Sequence, residues 1–243
     1  MIRLALESDF PQKATNEALV RICGLRLAYG PEAPFIRYYT DGEGALLAVM
    51  DRVGIFHAAD LTDEWRAFLS MNPDISTIHC SEAIGIMLME SGLWQGRVGV
   101  VMKYAGATPC EEDETVCTTP YLPAVYALLE DHFPGISPFN YWYPDVSHRV
   151  RHKNCHISVV LEGEQVVSTA MTVAETNTAA VLGQVATHPE FRRRGLAGKC
   201  IKSTMFLCKD KTLYILPINE NAQKLYEKLG FITDGGWAEL QRA

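Results

Sequence analysis

The feature that most restricts how this chain can fold is a β-rich segment that leads into an arginine- and glycine-rich turn and then a helix. Residues 179–187 are largely apolar, Pro189 ends the predicted strand, and helical character begins near Arg194. The first turn of a helix has backbone N–H groups without internal partners, and the helix dipole makes that end positive. This order of elements predicts an α/β structure whose turn faces an anionic ligand.

The charges around the turn favour the same ligand. Five cations and no acid lie between Phe191 and Lys202, whereas the whole chain has 22 Lys and Arg against 29 Asp and Glu. The P-loop and dinucleotide patterns both require glycine at position 193, which is Arg193, so neither fits. We therefore expect a phosphate or pyrophosphate here. The alternative is a basic helix start that only contacts solvent.

Periodicity and turn residues predict a mixed α/β sheet around this segment, an α/β (α+β) fold class. The predicted helices cover residues 121–133, 144–152, 194–210 and 219–229, and the predicted strands cover residues 157–161, 166–173, 179–187, 213–216, 231–233 and 237–241.

An acidic, proline-flanked segment at residues 108–120 is typical of a linker. We predict an N-terminal α/β domain at residues 1–107 and a second domain at residues 121–243. Residues 76–93 align with residues 214–231 at a constant offset of 138, and Leu88 then corresponds to Tyr226. This alignment indicates either that the first domain is a degenerate repeat of the second or that two strand–helix units are similar by chance.

Two motifs in the second domain resemble those of the GNAT superfamily of acetyltransferases. Arg192, Gly195 and Ala197 satisfy the acyl-CoA signature Gln/Arg-x-x-Gly-x-Gly/Ala, and residues 187–191 resemble its lead-in. Residues 219–231 match the second motif, Asn-x-x-Ala-x-x-Leu-Tyr-x-x-x-Gly-Phe, at every stated position. The resemblance covers residues 118–243 and implies a GNAT-type acyl-CoA fold there. The first domain is smaller, and one interpretation of it is a degenerate GNAT-like repeat.

This resemblance implies a binding site for acetyl-CoA as co-substrate. Backbone amides after Arg192 would hold the pyrophosphate, the strand before it would pair with the pantetheine arm, and the amide near Ala186 would polarise the thioester carbonyl. The cofactor-binding residues implied are Val185, Ala186, Thr187, Arg192, Arg193, Arg194, Gly195, Leu196, Ala197, Gly198 and Asn219.

The resemblance also implies that Tyr226 protonates the departing thiolate as general acid. Family members often carry a basic carboxylate on the strand that here has Gly183 and Gln184, so the base stays open among His148, His152, Glu175 and a water chain. We expect no metal. The expected substrate contacts are Trp142, Tyr143, His148, His152 and Gln184.

The predicted activity is acetyl transfer from acetyl-CoA to a primary amine by direct attack in a ternary complex. The alternatives are a non-catalytic acyl-CoA-binding module and an acyltransferase that uses a longer acyl group. The negative net charge argues against nucleic acid and anionic membrane partners. Glu7 and Asp9 interrupt any signal peptide, and no apolar segment is long enough to span a membrane. We therefore expect a cytoplasmic monomer or homodimer.

Overall fold

The computed structural model describes residues 1–106 and 113–243. The described chain forms two compact units, of which the first comprises Met1–Met102, Leu216–Ile218 and Thr233–Ala243 and the second comprises Lys103–Ile215 and Asn219–Ile232. Residues 108–112 of the predicted linker lie outside the described residues.

Both units contain strands and helices. They are β1 (Arg3–Leu4), α1 (Glu17–Tyr29), β2 (Ile36–Thr40), β3 (Leu46–Met50), β4 (Val53–His57), α2 (Asp63–Met71), β5 (Thr77–Ser81), α3 (Glu82–Met89), β6 (Trp94–Tyr104), α4 (Leu122–Glu130), α5 (Phe139–Arg151), β7 (Ile157–Glu162), β8 (Gln165–Glu175), β9 (Ala179–Thr187), α6 (Leu196–Leu207), β10 (Thr212–Ile215), α7 (Glu220–Lys228) and β11 (Phe231–Arg242).

The first unit contains a mixed sheet with the strand order β1-β2-β3-β4-β5-β11-β6. β4 and β5 are parallel, whereas β11 runs antiparallel to β5. Its core is built around Trp65 and Phe56, both fully buried. A strand, a helix, a parallel strand and a second helix follow one another here as they do in the second unit. The interpretation as a degenerate repeat stays a prediction.

The second unit contains the strand order β10-β9-β8-β7. β7, β8 and β9 form an antiparallel meander, and β10 adds parallel to β9 after the α6 crossover. Helices α4 and α5 cover a core that includes Leu129, Trp142 and Met171. On α6, Ser203 and Thr204 hydrogen-bond Ser158 of β7, at 3.2 Å and 2.9 Å. The predicted mixed α/β fold class is confirmed.

Three predicted elements, one helix and two strands, are wrong in their limits. The helix expected from residue 144 begins at Phe139, so Pro144 lies inside α5 and not at its start. The two strands expected at residues 231–233 and 237–241 are one strand, β11. β11 continues through glycines 235 and 236. A Cβ atom at Gly236 would overlap Glu82, and a glycine inside a strand permits this close approach.

The hydropathy and the cysteines agree with a globular chain. Within the described ranges, no helix combines the length and the apolar character that crossing a bilayer requires. The cysteines described there are all free thiols, and four of them, Cys80, Cys155, Cys200 and Cys208, are buried.

Candidate active site

The C-terminal end of β9 has one open edge. β9 and β10 are paired only from Ala179 to Leu182, while on its other side β9 remains paired with β8 as far as Thr187. Over the described chain, no strand pairs with residues 183–187 on the β10 side. The backbone amides and carbonyls on that edge are therefore available to an extended ligand that carries amide groups.

A β-bulge shapes this open edge. Met171 pairs with Gly183 and Thr169 pairs with Ala186, so β9 carries one residue more than β8 between these pairs. Gln184 lies in the bulge and has a φ of +47°, a backbone conformation that is uncommon for residues other than glycine. Bulges twist a strand and often lie beside functional sites. Here the bulge changes the direction of the strand at residues 185–187, just after the pairing with β10 ends.

The turn after β9 presents a helix N-terminus to open space. Gly195 adopts the left-handed conformation, with φ of +78°, and α6 begins at Leu196. The first helical hydrogen bond is donated by the Lys199 amide to the Gly195 carbonyl. The N–H groups of residues 196–198 therefore have no hydrogen-bond acceptor within the helix. A Cβ atom added at Gly195 or Gly198 would meet no atom within 4 Å. A phosphate group therefore has room to approach these N–H groups.

The arginines of the turn hold its backbone while remaining exposed. Arg192 Nε donates to the Thr187 carbonyl at 3.1 Å, and Arg194 Nη2 donates to the Glu190 carbonyl at 3.2 Å. Arg193, with φ of +66°, completes the turn. Their positive charges thus surround the start of α6 in solvent, where they favour an anion.

One of the five cations between Phe191 and Lys202 has an acidic partner that lies elsewhere in the sequence. Lys199 Nζ lies 3.7 Å from Asp113 and 3.2 Å from the Thr115 hydroxyl. This pairing links α6 to the chain segment before α4. Together with the open glycines, the remaining cations fit the pyrophosphate that the sequence predicts.

Asn219 and Tyr226 both lie on the helix that follows β10. Asn219 is the N-cap of α7, and its Oδ1 accepts from the Ala222 amide at 3.0 Å, so its side-chain NH₂ group is not used in the cap. Tyr226 is 5% exposed, and burial raises the pKa of its phenol to about 12. The phenol is therefore protonated at neutral pH and can donate a proton.

The expected acceptor contacts lie on α5, and one of them reaches β9. The buried Trp142 donates from Nε1 to Gln184 Oε1 at 3.4 Å, which brings these two predicted residues together beside the bulge. Tyr143 is 39% exposed. Arg149 forms two bonds with Asp145 and donates to the Val173 carbonyl at 3.2 Å, so it ties α5 to β8.

His148 of α5 and His152, which follows the last residue of α5, pack ring against ring. The rings of His148 and His152 lie 4.1 Å apart, and His152 Nδ1 donates to the His148 carbonyl at 2.8 Å. Both are accessible to solvent. They remain candidates for the base.

Glu175 is not a candidate base. It pairs with Ala180 at the hairpin end of β8, six residues along β9 from Ala186, whose amide is assigned to the thioester, and this separation corresponds to about 20 Å. Its carboxylate is 2% exposed and is bound by Lys211 at 2.5 Å. The distance from the open edge excludes it from proton transfer there.

Sequence reasoning missed several groups that shape the site. Ser168 of β8 bonds both the Ala186 carbonyl, at 3.1 Å, and the Thr187 hydroxyl, at 2.8 Å, and so fixes the end of β9. His188 Nδ1 is buried and has no hydrogen-bond partner among the described residues. The bulge itself had no sequence signal, because residue 184 is not glycine.

Comparison with known proteins agrees with this geometry. Residues 122–231 match the model of the acetyltransferase (GNAT) family. This region of the chain is similar in sequence to members of that family. No curated protein matches the chain in sequence.

Solved structures show the same fold over nearly the whole chain. A GNAT-family protein from Novosphingobium aromaticivorans is 18% identical, with a TM-score of 0.58, over 94% of this chain and 100% of that one. A GCN5-related N-acetyltransferase from Sphaerobacter thermophilus is 16% identical, with a TM-score of 0.58, over 100% and 95%. A tandem GNAT protein of the clavulanic acid biosynthesis pathway is 12% identical, with a TM-score of 0.56, over 98% and 91%.

The GNAT match covers most of the second unit. All the residues predicted to bind acetyl-CoA and the acceptor lie in the second unit.

Proposed function

We propose that this protein is an acetyl-CoA-dependent N-acetyltransferase that acts on a primary amine. The observation that carries the proposal is the open edge of residues 185–187 followed, after one turn of the chain, by the uncapped N–H groups of residues 196–198. An extended ligand with amides at one end and a diphosphate at the other would engage both parts. The family assignment supports coenzyme A as that ligand.

The chain's own residues supply the binding and the acid. The strand edge would pair with the pantetheine amides, the start of α6 would hold the pyrophosphate, and the amide near Ala186 would stabilise the oxyanion. The amine would form the new C–N bond as the C–S bond breaks, lose its proton to His148, His152 or water, and leave a thiolate that Tyr226 protonates. The transfer would occur in one ternary complex.

The deciding experiment has two parts. Calorimetry with coenzyme A and acetyl-CoA measures binding, and a panel of amines, amino acids and peptides with acetyl-CoA, monitored by release of the free thiol, measures turnover. We expect binding and amine-dependent thiol release. Absence of binding would overturn the proposal, and binding without turnover on any amine would support the non-catalytic acyl-CoA-binding module instead.

Acyl-chain preference is tested separately with thioesters of increasing length. We expect acetyl-CoA to give the highest kcat/KM. A higher value for a longer thioester would assign the alternative acyltransferase function, with the same acid and the same binding surface.

A further inference from the structure

The second unit contains a buried cluster of His156, Glu175 and Cys208 that the proposed function does not use. One ligand atom of each lies within 4.8 Å of the others. The three come from different elements: His156 precedes β7, Glu175 ends β8 and Cys208 caps α6. Glu175 and Cys208 are 2% and 1% exposed.

The two contacts of His156 are made by the same ring nitrogen. Nδ1 lies 3.0 Å from Glu175 Oε2 and 3.8 Å from Cys208 Sγ. A catalytic Cys–His–Glu relay would use both nitrogens of the imidazole, one toward the thiol and one toward the carboxylate. The cluster instead places sulfur, nitrogen and oxygen around a single point, which is the arrangement of a metal centre.

The two distances from His156 Nδ1 are close to those of tetrahedral zinc, and the third pair, oxygen and sulfur, lies within 4.8 Å. Bond lengths of about 2.0–2.3 Å require about 3.4 Å between nitrogen and oxygen and about 3.6 Å between nitrogen and sulfur. The observed 3.0 Å and 3.8 Å differ from these by a few tenths of an ångström. We propose that His156, Glu175 and Cys208 bind Zn²⁺ or a similar divalent cation, with water in the fourth position.

Neighbouring groups are compatible with this site. Lys211 holds the other carboxylate oxygen, Oε1, at 2.5 Å, and also donates to the Thr176 carbonyl, so Oε2 is left for the cation. Thr172 donates to Oε2 at 3.0 Å and orients the carboxylate from outside. The His156 side chain is 27% exposed and provides a route of entry.

Binding requires two proton movements. The ring hydrogen of His156 moves from Nδ1 to Nε2, and the Cys208 thiol loses its proton to solvent as the metal–sulfur bond forms. Because the metal binds the thiolate, each bound cation releases one proton and affinity rises with pH. The site would connect the end of α6 to the β7–β8 hairpin, and its role would be structural.

The test titrates the purified full chain with Co²⁺ as a spectroscopic probe and with Zn²⁺ in thermal unfolding. We expect a sulfur-to-cobalt charge-transfer band at a 1:1 ratio, and a Tm rise of about 5 °C or more at a hundredfold excess over Kd. Cys208→Ser should abolish the band and the shift. Cys200→Ser, a buried cysteine on the same helix, is the matched control and should retain both.

His156→Asn provides a second variant in case the loss of Cys208 prevents folding, because His156 is partly exposed. It should weaken Co²⁺ binding at least tenfold. Absence of the band in the unaltered protein, or a band that both Cys208→Ser and His156→Asn retain, would overturn the proposal and leave an ion network of Glu175 with Lys211. The readouts do not depend on acetyl transfer, so failure here would not affect the proposed function.

Discussion

At the scale of single residues, Tyr226 combines burial with a position that the family motif reserves for the acid. Its phenol, with a pKa near 12, keeps its proton throughout the pH range in which a thiolate leaving group is formed. Burial thus keeps the phenol in its protonated form and would impair a group that must ionise, although it also makes the phenol a weaker acid. The burial of Tyr226 therefore argues against a base.

We predict that Tyr226→Phe lowers kcat about a hundredfold and leaves the Kd for coenzyme A within twofold. The ring and its packing against Phe231 are retained, so only the hydroxyl is lost. Steady-state thiol release and calorimetry measure the two quantities. Tyr121→Phe, which alters an exposed tyrosine beside α4, should change neither. Unchanged turnover in Tyr226→Phe would remove the assigned acid.

At the scale of elements, the start of α6 is the part whose binding role can be separated from its fold. Gly195 is left-handed, so any side chain there adds backbone strain to its effect on a ligand. Gly198 has no positive φ and faces open space. A substitution at Gly198 therefore adds neither left-handed strain nor a steric overlap to its effect on the ligand.

We predict that Gly198→Glu weakens coenzyme A binding more than a hundredfold, because the carboxylate would meet the pyrophosphate at the helix N-terminus. Gly198→Gln, of equal size and no charge, should bind more tightly than the Glu variant. Gly198→Ala should bind nearly as well as the unaltered protein and unfold at a slightly higher temperature, since alanine favours a helix by about 1 kcal/mol. Equal binding by the Glu and Gln variants would argue against a bound anion.

At the scale of the whole molecule, the sequence predicted elements where periodicity and caps agree. The limits of β9 are those expected, and α7 begins at its Asn219 cap. It failed where a local rule does not hold: Pro144 is tolerated inside α5 although it lacks an N–H, and β11 continues through Gly236, which makes room for Glu82.

The candidate site divides in the same way. The turn and the two motifs lie in continuous sequence and were found there. The Gln184 bulge, the Ser168 support of β9 and the burial of Glu175 arise from pairing between strands, which no single segment specifies. The roles of Tyr226 and of the acetyl-CoA residues remain predictions.

The first unit has its own electrostatic anchor, from which a pH dependence follows. Glu17 of α1 is 4% exposed, pairs with Arg21 and lies 2.9 Å from His79 of β5. Burial opposes its charge, but these partners outweigh burial and lower its pKa from 4.5 to about 2. A lowered folded-state pKa stabilises the fold above the unfolded value, and this stability is lost as the pH falls through the folded value.

We predict that the free energy of unfolding falls by about 3 kcal/mol between pH 5 and pH 2 because of Glu17. Urea unfolding followed by tryptophan fluorescence at a series of pH values measures this. Glu17→Gln should be less stable at pH 7 and show a shallower acid dependence. Glu43→Gln, at an exposed position, should follow the unaltered protein. Parallel curves for Glu17→Gln and the unaltered protein would contradict the assignment.

The position of β11 has a consequence for the order in which the chain can assemble during synthesis. β11 lies between β5 and β6 in the first unit, and it is paired with β5 through residues 237–241. During synthesis on the ribosome, β5 and β6 of residues 1–102 therefore have unpaired edges until residues 233–243 have emerged. A fragment that ends at residue 107 would keep these edges unpaired and would be prone to self-association through them.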